Sequence, residues 1–169
     1  CFRSVSSRGL VRNFYRHTWL VAYRFGASPA VCRSFVEGKK HKWEPFGQSS
    51  YYLPYATSLR MSDLGYRSTA QEQVDFSLDN LNDYVEALRK ATETPHTPYK
   101  EIGVKVDDVY RQLNHNLLQI ENEYYAPVRP HRVARPGEKP SHALRDRGIE
   151  YTQVRFPYLD PFSPVGIDT

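Results

Sequence analysis

Apolar residues along this chain fall in two periodicities, and their alternation predicts a mixed α and β protein. From Val11 to Phe25 the apolar positions are Val11, Phe14, Tyr15, Trp19, Ala22 and Tyr23, the three-and-four spacing of one helix face. Gly26 stops that helix. Ser28-Pro29 then reads as an N-cap with proline at the first helical position, predicting a short second helix to about Val36. Further on, Ser77 is placed to cap a helix with Leu78, Leu81, Tyr84, Val85, Leu88 and Ala91 on its inner side. Asp79 lies in its first turn and Arg89-Lys90 near its end, as the helix dipole favours, and Pro95 and Pro98 end it.

The stretch Leu113–Tyr125 fits either period. Leu113, Leu117, Ile120 and Tyr124 have helical spacing, whereas a strand from Leu117 separates Leu118, Ile120 and Tyr124 from Gln119, Glu121, Glu123 and Tyr125. Pro127 and Pro130 follow closely and leave a helix little room, so a strand is expected. Its two carboxylates and phenol would bind a cation or an amine if they faced inward. From His131 to Arg147 the chain is a Pro/Gly/Arg-rich connection with turns at Pro136-Gly137 and a short helix after Ser141.

The connection leads into Gly148-Ile149-Glu150-Tyr151-Thr152-Gln153-Val154-Arg155, which has the β-branched and aromatic content of a strand. Alternation puts Tyr151, Gln153 and Arg155 on one face and Glu150, Thr152 and Val154 on the other. An arginine and an amide together suit either a solvated face or an anion site. Upstream, Tyr51-Tyr52-Leu53-Pro54-Tyr55 and Arg60 lead to a turn at Ser62-Asp63-Leu64-Gly65-Tyr66.

Composition narrows the class. At 169 residues with 40% hydrophobic and 25% charged residues, the chain suits one domain that buries roughly two-thirds of its unfolded surface. Its mean hydropathy of -0.66 argues against a membrane span. Cys1 and Cys32 are expected to be reduced thiols in a cytoplasmic protein. The net charge of +4 is concentrated early, where Arg3, Arg8, Arg12, Arg16, Arg24 and Arg33 precede the first acidic residue, Glu37. Arg8, Arg12 and Arg16 are read as a solvated helix face, because a nucleic-acid contact needs further basic and aromatic support. An Arg- and Ser-rich start also resembles a transit peptide, but it runs directly into the helical pattern, and an internal cut is expected. No phosphate-binding glycine loop, zinc spacing or nucleophile elbow is present.

Four segments carry a resemblance: Tyr23-Arg24-Phe25-Gly26-Ala27-Ser28-Pro29-Ala30; Tyr52 to Arg60 with Ser62-Asp63-Leu64-Gly65-Tyr66; Leu118-Gln119-Ile120-Glu121-Asn122-Glu123-Tyr124-Tyr125-Ala126-Pro127; and Gly148-Ile149-Glu150-Tyr151. In order and over nearly the whole chain, they resemble the proteobacterial-type glutamate-cysteine ligases. The resemblance implies an internal piece, residues 1–169, of one catalytic domain. It implies an α+β fold in which an antiparallel sheet curves into a funnel with helices outside. The implied activity is ATP-dependent ligation of glutamate to cysteine with Mg2+ or Mn2+. The implied partners are these small molecules, with neither nucleic acid nor membrane. By the same resemblance Arg155 is the phosphate-contacting arginine, and Arg60, Tyr66 and Tyr125 line the amino-acid pocket.

Gln153 departs from the family, which has a metal-ligating glutamate there, and Phe156-Pro157-Tyr158 replaces Ser-Leu-Asp. A glutamine keeps a neutral carbonyl oxygen for a cation but loses a charge, so metal affinity is expected to fall. The departure raises the alternative of a relative that keeps the fold without the chemistry. The family's other acidic metal ligands lie mostly upstream of Cys1, so the 169-residue piece is expected to be inactive alone.

Overall fold

The computed structural model describes residues 2–26, 30–38, 41–62, 68–160 and 162–167. Its helices are α1 (Phe2–Phe25), α2 (Arg33–Val36), α3 (Leu81–Glu93), α4 (Thr97–Ile102) and α5 (Pro140–Arg147). Its strands are β1 (Ala30–Cys32), β2 (Glu44–Phe46), β3 (Ser50–Tyr52), β4 (Lys105–Val106), β5 (Val109–Tyr110), β6 (Val128–His131) and β7 (Tyr151–Val154). All pairings are antiparallel. They form one three-stranded sheet, ordered β1-β3-β2, and the two ribbons β4-β5 and β6-β7.

The core forms where the two periodicities meet. Tyr84, Val85, Leu88 and Ala91 of α3 pack with Leu144 of α5, Leu118, Tyr124 and Ala126 of the intervening segment, and Ile149 before β7. Asn80, rather than Ser77, caps α3: its side-chain oxygen accepts from the Asn82 amide at 2.9 Å. Ser77 instead accepts from the Asp79 amide just outside the helix, and Leu78 packs against the core there.

Helix α1 begins well before Val11 and runs for 24 residues. Its early turns are anchored by polar contacts, which an apolar pattern does not register: Ser4 Oγ accepts from the Ile149 amide at 3.2 Å, and Arg3 donates to the Glu150 carbonyl at 2.6 Å. Val11 is fully buried, but Trp19 and Tyr23 are 69% and 81% exposed. Of the expected stripe, Val11 and Phe14 meet the core, Phe14 with its ring 5.9 Å from that of buried Phe156, and the Trp19 and Tyr23 end does not. Arg12 bonds the Asp79 carboxylate at 3.0 Å and Arg8 the Asp79 carbonyl, so part of the basic stripe ties α1 to the approach to α3.

Two predicted elements are corrected. The expected helix to Val36 is strand β1 followed by the single turn α2; Ser28 and Pro29 lie outside the described residues. Residues 113–125 form no strand, only an irregular segment with one bridge, Pro95 to Asn116, and a short 3-10 turn at Glu121–Glu123. Side chains capture the backbone groups that a strand would have shared. The Leu113 amide goes to Gln119 Oε1, the Asn116 amide to Asn114 Oδ1 and the Gln119 amide to Glu123 Oε2, at 2.6, 2.9 and 2.6 Å.

Glu121, expected on a cation-binding face, is buried and caps α5. Its carboxylate accepts from the Ser141 amide at 2.8 Å and the Ser141 hydroxyl at 2.5 Å, at the positive end of the helix. Glu121→Ala leaves two buried donors without partners and is expected to cost about 2–3 kcal/mol, read as a lower urea midpoint at unchanged slope. An unchanged midpoint would refute the capping role.

Candidate functional site

Strand β7 enters from α5 through Gly148, whose φ of +73° lies in the region that favours glycine. A Cβ there would come within 2.7 Å of Ser4 Oγ, so this turn needs glycine twice over. Its carbonyl accepts from Arg132 Nε at 2.7 Å. The strand that follows pairs with β6 in the register Val128 to Val154, Arg129 to Gln153, Pro130 to Thr152 and His131 to Tyr151. Paired residues share a face, so Arg129 and His131 join Tyr151, Gln153 and Arg155.

Three of the residues singled out from sequence converge at the end of β7. The Arg155 carbonyl accepts from Tyr125 Oη at 3.1 Å and from Arg60 Nη1 at 3.4 Å. The Arg155 guanidinium lies over the Tyr125 ring, 5.4 Å from its centroid, and the Arg60 guanidinium over Tyr158 at 5.2 Å. Ser58 donates to the Phe156 carbonyl at 2.7 Å, stitching the Arg60 segment to the same strand end. Tyr66 lies outside the described residues. Gln153 sits on the Arg155 side of β7, half-buried.

Two contributors escape the sequence reading. Buried Gln71 accepts from the Tyr125 amide at 2.9 Å and donates to the Glu123 carbonyl at 3.2 Å, fixing the backbone that carries Tyr125. No periodicity marks it, because it lies in a short 3-10 helix, Thr69–Gln73. Arg129 is 3% exposed and donates to the Tyr124 carbonyl at 2.6 Å, with its guanidinium 5.2 Å from the Tyr124 ring centroid. The alternation Val128-Arg129-Pro130-His131 was the available signal, obscured by prolines that an edge strand tolerates. Alongside, a cleft of about 790 Å³ opens between Arg12 and Tyr15 of α1 and Gln71, Asp75 and Phe76, with Tyr124 and Tyr125 in its wall.

His131 reports the electrostatics of this face. Its imidazole stacks on Tyr151 at 5.4 Å, and burial first, then Arg129 and Arg155, push its pKa down to about 4, with the Gln153 side chain acting in the opposite direction. A depressed histidine pKa gives stability that is whole above the unfolded value near 6.5 and drains away as pH falls through about 4. After allowance for solvent screening of this half-buried ring, wild type is expected to lose about 1–2 kcal/mol more than His131→Leu between those pH values. Denaturant titrations at both pH values check this, and parallel losses would contradict it.

Comparison with known proteins places the chain. The sequence profile of the family described as glutamate-cysteine ligase matches residues 2–169. The glutamate-cysteine ligase of Shewanella amazonensis is 53% identical over 169 residues, covering 99% of this chain and 32% of that protein. That of Hahella chejuensis is 54% identical over 166 residues, with 98% and 32% covered. Among solved structures, the glutamate-cysteine ligase of Francisella tularensis in complex with AMP superposes with a TM-score of 0.82 at 43% identity, covering 98% of this chain and 33% of that one. This mixed helix-and-sheet chain belongs to the glutamate-cysteine ligase family. It spans about a third of the length of the curated relatives it matches.

Proposed function

We propose that the full-length protein carrying this chain joins the γ-carboxylate of glutamate to the amine of cysteine at the expense of ATP, the first step of glutathione biosynthesis. The convergence of Arg60, Tyr125 and Arg155 on one strand end, in a chain of this family, carries the reading. The AMP complex of the Francisella ligase supports a nucleotide site. Residues 1–169 are then the central part of one catalytic domain, and β6-β7 is one segment of a sheet that curves into a funnel in the complete domain. The substrates are small soluble molecules, in keeping with a cytoplasmic enzyme. Among the described residues no helix is long and apolar enough to cross a membrane.

A carboxylate is a poor acyl donor, so the glutamate γ-carboxylate oxygen first attacks the γ-phosphorus of ATP and ADP leaves. The cysteine amine then attacks the acyl carbon of the γ-glutamyl phosphate, loses a proton and expels phosphate. Arg155 stabilises charge on the transferring phosphoryl group, held beside it by the Tyr125 ring. Arg60 takes a substrate carboxylate, and Tyr125 with Tyr66 walls the amino-acid pocket.

Mg2+ or Mn2+ is the metal the family implies, and the residues of this chain do not by themselves make a site for it. Among the described residues no group of three or more His, Cys, Asp and Glu side chains could hold one, and Gln153 offers only a neutral oxygen among arginines.

Incubating the full-length protein with ATP, glutamate and cysteine tests the proposal. γ-Glutamylcysteine and equimolar ADP are expected, and neither should form when cysteine or glutamate is omitted, beyond a slow ATPase. Absence of product would refute it. Gln153 favours one other reading, a non-catalytic relative; in that case the wild-type protein is silent and Gln153→Glu gains activity.

A further inference from the structure

The face formed by β6 and β7 carries five side chains, Arg129, His131, Tyr151, Gln153 and Arg155, and none of them is acidic. Arg129 stands directly opposite Gln153 and is almost fully buried, with one guanidinium nitrogen on the Tyr124 carbonyl and another 3.5 Å from the Glu121 carbonyl. The carboxylates close in sequence are turned to other work. Glu121 caps α5 through Ser141, and Glu150 accepts from the Val133 amide at 3.2 Å and faces Arg132 at 3.8 Å. Among the described residues Arg129 Nε has no hydrogen-bond partner, and this buried guanidinium lies against two carbonyls and the Tyr124 ring.

Such a face repels a cation and attracts an anion. A hard divalent ion requires anionic oxygens, and one neutral amide oxygen on a strand face shared with two arginines is a poor substitute. An amide nevertheless has what a carboxylate lacks, two N–H donors. A carboxylate can meet a phosphoryl oxygen only through an intervening cation, whereas an amide can meet it directly.

We infer that Gln153 donates an N–H directly to a phosphoryl oxygen of the bound triphosphate, in the positive field of Arg129 and Arg155, and ligates no metal ion. This rests on the ligase reading and changes the stoichiometry at the site: position 153 holds substrate without an ion of its own. Arg129 acts as a buried positioning charge on the same face, and Arg155 as the direct contact.

Counting Mn2+ bound to the full-length protein by electron paramagnetic resonance, in the presence of a non-hydrolysable ATP analogue, tests this. Gln153→Met is expected to keep the wild-type number of ions while binding the analogue about tenfold more weakly, the loss of a hydrogen bond to a charged group. Gln153→Glu is expected to bind one ion more than wild type. Loss of an ion in Gln153→Met, unchanged analogue affinity in that variant, or equal ion counts in Gln153→Glu and wild type each overturn the inference. A wild-type protein that binds neither analogue nor Mn2+ overturns the ligase reading itself, and the inference with it.

Discussion

Replacing Arg155 with methionine in the full-length protein is expected to lower kcat for the ligation by about 10²–10³, the range seen when one preorganised donor to developing charge is removed. The fold around the site should survive, because what Tyr125 and Arg60 hold is the Arg155 backbone carbonyl rather than its side chain. Lysine restores charge but not the planar fork, nor its stacking on Tyr125, and should recover only part of the rate. Steady-state kinetics at saturating ATP separate a loss in kcat from one in binding. A methionine variant within threefold of wild type would remove Arg155 from the chemistry.

Arg60→Met should act on binding instead. If its guanidinium receives a substrate carboxylate, losing that charge-assisted contact costs about 1.5–3 kcal/mol, or about 10- to 100-fold in KM for glutamate or cysteine. KM for ATP should stay nearly constant. Arg60 also donates to the Arg155 carbonyl and lies over Tyr158, so a variant that raises KM for all three substrates alike would indicate a loosened site rather than a lost contact.

These two residues were singled out because the quoted segments resemble a family and imply roles for them, and the structure brings them together at the end of β7. What residues say unaided is narrower. The inner face of α3 was readable because Tyr84, Val85, Leu88 and Ala91 follow one period and meet one core. The pairing of Tyr151, Gln153 and Arg155 on one face was likewise readable, and the β6-β7 register supplies the other half of that face. The segment 113–125 was not, because Asn114, Gln119 and Glu123 satisfy backbone amides locally and apolar spacing carries no information about that. Aromatic spacing also misled on α1. Trp19 and Tyr23 have the period of a core face but lie exposed, while small Ser4 makes the close approach to β7. Gln71 and Arg129 had to be seen in place, since a buried polar residue is defined by partners distant in sequence.

The most direct test of an acyl-phosphate ligase follows an oxygen atom. With glutamate carrying oxygen-18 in its γ-carboxylate, the full-length protein, ATP and cysteine, each phosphate released should contain one labelled oxygen, because the carboxylate oxygen that attacks phosphorus leaves with it. Product formed with unlabelled phosphate would contradict the account.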